Sequence, residues 1–389
     1  MNLLDSLRTS ARMAPESGIV AVMNRGRAKE GMIPLWAGEG DLPTPEFIRA
    51  AASQALLAGE TFYTWQRGIP ELREALARYH NRHFATNLTY ENFLVTGSGM
   101  QSIQLALQAL AGAGNEVIYL TPAWPNFSAA AGIAGALPVA VSLTFGANGW
   151  SLDLERLKSA INGRTKVIFI NSPSNPTGWT ADMETLRTLL AIAREHDLWI
   201  IADEIYALFH YANTRAPSFL DIMEPEDRIV FVNSFSKNWA MTGWRVGWLT
   251  VHPNLAQVFE NLIQYSTSGV AQFMQKGAVA ALDHGDEFLS MQLDRARQAR
   301  DMLCIALTQT GKAQVTPPEG AFYLFFRLEG VKDSMSAAFS MVDNANIGLA
   351  PGTAFGSGTE GFFRICFNRK LDDIALAADR LVSWIDKNV

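Results

Sequence analysis

A chain of 389 residues with 48% hydrophobic and 18% charged residues holds enough apolar material for a large core, which argues against a disordered or mucin-like polymer. Its 32 Lys and Arg against 38 Asp and Glu give a formal net charge of −6, so it has no general attraction to a phosphate backbone, and nucleic-acid binding is not expected. Two distant cysteines, Cys304 and Cys366, form neither a disulfide framework nor a zinc motif, and a reducing cytoplasm is expected. The N-terminal segment lacks a long apolar region of the secretory kind, and no run reaches the ~18 uninterrupted apolar residues of a membrane span.

In chain order, the first forty residues carry short helical patterns and then the loop PLWAGEGDLPTP, an arm able to pack on either half of the chain or on another chain. From about 90 to 250, short apolar runs alternate with helical stretches. The runs are NFLVT (92–96), EVIYL (116–120), KVIFI (166–170), LWIIAD (198–203), RIVFVNS (228–234) and WRVGWLTV (244–251). Helical patterns occupy 100–111 and 181–196, the second with Asp182 as a cap and Leu186, Leu189 and Leu190 as a stripe. Continuous apolar strands between helices predict an α/β unit with a mainly parallel sheet covered on both faces. After 254 the pattern changes to long amphipathic helices up to 311. The strands AFYLFFRL (321–328) and GFFRICF (361–367) follow, with helices near 333–345 and 371–387. That is a smaller α+β unit. The expected division is a large domain of 41–280 and a small one of 1–40 plus 281–389.

Five segments carry chemistry, and each follows a predicted strand, where open α/β sheets place ligands. In NSFSKNWAMTGWRVGW (233–248), Ser234, Ser236 and Arg245 suit a phosphate, and Lys237 near that cation suits an amine nucleophile. In IIADEIYALF (200–209), Asp203 ends an apolar strand and needs a positive partner, with Tyr206 three residues on. NSPSNPTGW (171–179) offers the Asn175 amide, VTGSGMQS (95–102) offers the backbone N–H groups of Ser98, Gly99 and Met100 at a helix start, and Trp124 in TPAWPNF offers a flat ring. Taken singly, each has a plainer reading: a solvated lysine, a helix cap, a glycine turn, a core tryptophan.

SFSKNWAMTGWRVGW, NPTG, ADEIY and FFRICF together resemble the class I/II aminotransferases, pyridoxal-phosphate enzymes of fold type I and of the aspartate/aromatic kind. The resemblance runs from PLWAGEGDLPTP to the C-terminus. It implies a mainly parallel central sheet between helices with a smaller α+β domain. It also implies transfer of an amino group from an L-amino acid to a 2-oxo acid by a ping-pong route. Lys237 is then the amine that condenses with the cofactor aldehyde and later shuttles a proton. Asp203 is the partner of the pyridine nitrogen, and Tyr206 and Asn175 bind the phenolic oxygen. Ser98, Gly99, Met100, Ser234, Ser236 and Arg245 make the phosphate cup, and Trp124 stacks on the ring. Arg364 forks the substrate carboxylate, with Gly38 and Asn175 beside it. Tyr63 reaches the neighbouring subunit's phosphate, which implies a homodimer with shared sites. The resemblance further implies cis peptides at Thr121-Pro122 and Asn175-Pro176.

Four positions depart from the family's usual pattern. Gly40 stands where a proline is usual, Met100 where aspartate-preferring relatives often carry a lysine, and Trp65 and Arg67 where small residues are common. Met100, Trp36 and Trp65 favour aromatic and medium-sized amino acids. Arg67 favours an aspartate-preferring enzyme if it crosses an interface to a second carboxylate, and nothing if it points into water. A carbon–sulfur lyase shares the same cofactor residues. GSGTEG (356–361) matches a dinucleotide fingerprint but precedes a strand rather than a helix. His80 and His83 have the spacing of a ligand pair, but no acidic third ligand is evident; no metal is expected, and the pair reads as an exposed helix end. A non-catalytic regulator on this fold would carry a DNA-binding domain for which there is no room.

Overall fold

The computed structural model describes residues 3–389. Its centre is a seven-stranded sheet of β1 (Phe93–Thr96), β2 (Glu116–Thr121), β3 (Leu137–Ser142), β4 (Thr165–Asn171), β5 (Trp199–Asp203), β6 (Ile229–Ser234) and β7 (Gly247–Thr250). The spatial order is β1-β7-β6-β5-β4-β2-β3. The pairs β2–β3, β2–β4, β4–β5 and β5–β6 are parallel, and β7 runs antiparallel to both β1 and β6. The fold is therefore α/β with a mainly parallel central sheet.

Successive strand residues point to opposite faces, and both faces are buried. Val117, Val167, Ile201 and Val230 face one apolar core with Phe127 and Phe169, while Ile118, Ile168, Ile200 and Ile229 face a second with Leu189 and Leu190. This is why the strands read as continuous apolar runs. β3 was not expected: it is an edge strand with Leu137 54% exposed and Pro138 inside it, a residue tolerated where one side needs no ladder donor.

Helices α1 (Gly18–Gly26), α2 (Pro70–Phe84), α3 (Gly99–Leu110) and α4 (Met183–Glu195) matter most for the site or its support. Asp182 caps α4, its carboxylate accepting from Thr185 N at 2.7 Å, and Leu186, Leu189 and Leu190 are buried as the stripe requires. Beyond the central sheet, β8 (Ala313–Gln314), β9 (Tyr323–Leu328), β10 (Ala350–Pro351) and β11 (Phe362–Cys366) form a second sheet in the order β8-β9-β11-β10. The arm joins this part of the molecule through parallel pairing of Ile33–Pro34 with Ile347–Gly348. Cis peptides occur at Thr121-Pro122 and Asn175-Pro176, as expected, and also at Ser172-Pro173.

His80 is not on an exposed helix end. It is fully buried on the face of α2 that also carries Leu72, Leu76 and Tyr79, and its Nε2 accepts from Trp248 Nε1 at 3.1 Å. Burial pushes its pKa down to about 3, so the ring stays neutral. His83 is partly buried, 3.3 Å from Asp286. The flanking arginines misled because they occupy the other face of the same helix. GSGTEG forms a turn in which Thr359 Oγ1 donates to the Gly352 and Gly356 carbonyls at 2.8 and 2.6 Å. No helix of the described residues is long and apolar enough to cross a membrane.

Candidate active site

The register of the parallel strands fixes where polar groups emerge. Asn171 is paired with Asp203 across β4 and β5, and Asp203 with Val232 across β5 and β6. The chain turns out of the sheet at this common edge, and a cleft of about 380 Å³ opens there. Its wall includes Gly38, Gly99, Met100, Trp124, Asn175 and Asp203, together with Tyr206, Ser234, Ser236, Lys237, Arg245 and Arg364.

Asp203 is buried, and its carboxylate accepts from Ile205 N at 3.3 Å. Desolvation pushes its pKa up to about 7, against the smaller opposing effects of that bond and of Lys237. A cation or N–H donor in the cleft would complete its bonding. Lys237 is also enclosed. Its Nζ donates to the Gly38 carbonyl at 2.6 Å, and burial is the foremost cause of a pKa lowered to about 8. Such an amine is a usable nucleophile and proton carrier near neutrality.

One end of the cleft is built for an anion. Ser98 caps α3, its hydroxyl accepting from Gln101 N at 3.0 Å, so its side chain serves the helix while the helix N-terminus faces the cleft. Ser234 Oγ accepts from Ser236 N at 3.1 Å and lies 2.9 Å from Ser236 Oγ. Arg245 adds the guanidinium, anchored to the Thr242 carbonyl at 2.7 Å. Gly247 makes the assembly possible: a Cβ there would lie 2.6 Å from the Ser98 carbonyl carbon, so only glycine lets β7 pass beneath the start of α3.

The opposite end is built for a carboxylate. Arg364 on β11 is 2% exposed; it donates to Asn175 Oδ1 at 2.9 Å and to the Trp36 carbonyl, while its Nε has no partner among the described residues. The guanidinium lies over the Tyr323 and Phe355 rings at 4.7 and 4.9 Å. Phe363 and Ile365 beside it are buried too, because β11 is covered on both faces. Trp124 is tied to Asn175 through its backbone N–H, 3.0 Å from the Asn175 carbonyl.

Tyr63, Trp65 and Arg67 of the sequence analysis lie outside this cleft. Tyr63 is 92% exposed on the loop before α2, with Phe62 and Trp65 82% and 62% exposed. Arg67 neither points into water nor stands free to reach another chain. Its Nε donates to Glu260 at 2.7 Å, with further bonds to Glu91 at 3.3 Å and Gln257 at 3.2 Å. Sequence reasoning missed Tyr323, whose hydroxyl lies 2.7 Å from that of Tyr206. It also missed Asn171, which accepts from Asn175 N at 2.9 Å, and the wall formed by Ile19, Val20 and Met23 of α1. Asn171 had a signal, a polar residue ending an apolar strand. Tyr323 and α1 had none, since apolar residues in an apolar pattern read as core.

The groups converging on this cleft can hold a molecule with an aromatic ring, a ring cation, an aldehyde and a phosphate. The comparisons agree. The model of the family "Aminotransferase class I and II" matches residues 30–381. An aspartate aminotransferase of Thermotoga maritima is 32% identical over 383 residues, 98% of this chain and 98% of its own. An alanine aminotransferase structure from Pyrococcus furiosus superposes with a TM-score of 0.92 at 26% identity, covering 98% of this chain and 100% of that one. An aromatic aminotransferase structure from Pyrococcus horikoshii gives a TM-score of 0.87 at 29% identity, covering 94% and 99%. A family match across nine-tenths of the sequence and a shared architecture at that coverage lead to one conclusion: the chain belongs to the class I and II aminotransferases, pyridoxal-phosphate-dependent enzymes of fold type I.

Proposed function

We propose that this aminotransferase takes aromatic and medium-sized apolar amino acids as its preferred donors and works as a homodimer. One observation carries the substrate reading: Ile19, Val20 and Met23 of α1 line the cleft together with Trp36, Met100 and Ile103, and the cations that line it are Lys237, Arg245 and Arg364. Arg364 takes the α-carboxylate and Arg245 lies at the anion end, which leaves an apolar surface for the side chain. The names of relatives point to aspartate, alanine and aromatic substrates, so they support the reaction without selecting the donor.

Pyridoxal phosphate, when bound, supplies an electron sink for the Cα carbanion and carries the amino group between the two half-reactions. Lys237 holds it and then, as a free amine, moves the proton at Cα. Asp203 keeps the pyridine nitrogen protonated, and that cation in turn favours the carboxylate form that burial alone disfavours. Tyr206 and Asn175 bond the phenolic oxygen, and Trp124 covers the ring. Ser98, Gly99, Met100, Ser234, Ser236 and Arg245 hold the phosphate, through backbone N–H groups at the start of α3 and through side chains. Arg364 forks the substrate carboxylate, with Gly38 beside it.

The division of labour supports two domains, 41–280 and 1–40 plus 281–389. The first carries the ring and phosphate groups, and the second carries Arg364, Gly38 and the α1 wall. The exposed Phe62, Tyr63 and Trp65, beside the turn that follows Tyr265, support a second copy as partner, with Tyr63 completing its phosphate site. Both cysteines are free and buried, in keeping with a reducing cytoplasm.

The test compares kcat/KM for phenylalanine and aspartate in the wild type and in Arg67→Ala. Phenylalanine is expected to be preferred, and Arg67→Ala to leave the ratio unchanged, because Arg67 is engaged by Glu260 and Glu91. Preference for aspartate, lost selectively in Arg67→Ala, would establish the aspartate enzyme instead.

A further inference from the structure

Tyr323 sits on β9, in an apolar strand, yet it meets Tyr206, Arg364 and Gly38 at the cleft. Its hydroxyl is 2.7 Å from the Tyr206 hydroxyl, deep in the protein, and the two rings meet edge to face at 5.6 Å and 84°. The Arg364 guanidinium lies 4.7 Å from its ring centroid. The hydroxyl also packs against Gly38, where a Cβ would come within 2.5 Å of it. Gly38 in turn accepts the Lys237 ammonium at its carbonyl. A phenylalanine would satisfy the packing of β9 and the contact with Arg364 equally well. The hydroxyl is the part the core does not explain.

A phenol has one proton to donate and an oxygen that accepts. Within this pair one hydroxyl donates to the other. If Tyr323 is the donor, Tyr206 keeps its own proton for a group in the cleft, and accepting a bond makes it a stronger donor. We propose that Tyr323 is a positioning residue of the transamination site: its hydroxyl fixes and polarises the Tyr206 hydroxyl toward the cofactor's phenolic oxygen, and its ring holds the guanidinium of Arg364 for the substrate carboxylate. One side chain thus sets the spacing between the ring-binding and carboxylate-binding groups. It also gives position 38 a reason to be glycine. The proposal rests on the role assigned to Tyr206 above. The charged and titratable groups facing the pair are Asp203, Lys237, Arg364, Glu39 and Cys366.

The hydroxyl and the ring separate experimentally. In the holoenzyme, the near-visible absorption of the bound cofactor is titrated with pH in the wild type, Tyr323→Phe, Tyr206→Phe and the double variant. Tyr323→Phe should move the midpoint in the same direction as Tyr206→Phe but less, by about a threefold change in proton affinity, and should be silent in the Tyr206→Phe background. It should lower kcat about 3- to 10-fold while leaving KM for the amino acid within about twofold, whereas Tyr323→Leu, which removes the ring, should raise KM as well. A Tyr323→Phe shift of equal size in both backgrounds, or none where Tyr206→Phe does shift, overturns the positioning role alone. An unmoved midpoint in Tyr206→Phe overturns the Tyr206 assignment together with it.

Discussion

Asp203 and Lys237 are buried groups whose charged forms are both disfavoured by desolvation, the carboxyl raised to about 7 and the amine lowered to about 8. They act on stability in different pH windows. The folded state of the cofactor-free protein binds the Asp203 proton more tightly than the unfolded state does. Its contribution is therefore fully present below about pH 4 and is lost as pH rises through about 7. Glu204 next to it is also raised to about 7 by burial, against bonds from Ser218 and Phe219, and works in the same direction. Lys237, with a depressed folded pKa, changes stability only from about 8 upward, where the unfolded state binds more protons and stability rises with pH. The cofactor-free protein should thus lose thermal stability between pH 5 and 7.5, and Asp203→Asn should flatten part of that slope, leaving the share due to Glu204. Melting curves across the range check this; an Asp203→Asn slope as steep as the wild type's contradicts it. At this scale the sequence was legible at polar residues that end or follow an apolar strand, as at Asp203, Asn175 and Lys237, although Asn171 at the end of β4 was passed over. It was not legible for Tyr323, Ile19 and Met23, apolar or aromatic residues within apolar patterns. Arg67 was misjudged because its partners Glu260 and Glu91 come from elements that only the fold brings together.

Among the elements, the parallel strands were legible because burial on both faces turns them into unbroken apolar runs, and α4 because Asp182 caps a clear stripe. β3 was hidden by its own exposure, and the antiparallel direction of β7 could not be read from composition. The helix α2 shows how a mixed face deceives. Arg78 and Arg82 pair with Asp283 and Asp286 on the solvent side while His80 lies in the core between Phe84 and Phe93. The loop ahead of α2 shows the converse. Arg67, in the place of a small residue, ties that loop to Glu260 and to Glu91, and Arg73 of α2 shares the same Glu91 carboxylate at 3.3 Å. The exposed Phe62, Tyr63 and Trp65 are therefore held by a fixed loop rather than left loose.

For the whole molecule, that loop is the argument for a second copy. Large aromatics exposed by 62–92% at one site cost solubility unless they are covered, and the loop 61–64 adjoins 267–271 to make a contiguous patch. Sedimentation of the holoenzyme should give twice the monomer mass, and Tyr63→Ala should weaken retention of the cofactor without unfolding the chain. A monomer with full activity contradicts the shared site. The central claim is tested most directly by product analysis. Purified enzyme is incubated with phenylalanine and 2-oxoglutarate, and glutamate, phenylpyruvate and ammonia are all quantified. The account predicts glutamate and phenylpyruvate in equal amounts, no ammonia, and neither product from Lys237→Ala. Ammonia released without glutamate, or undiminished turnover in Lys237→Ala, would contradict it.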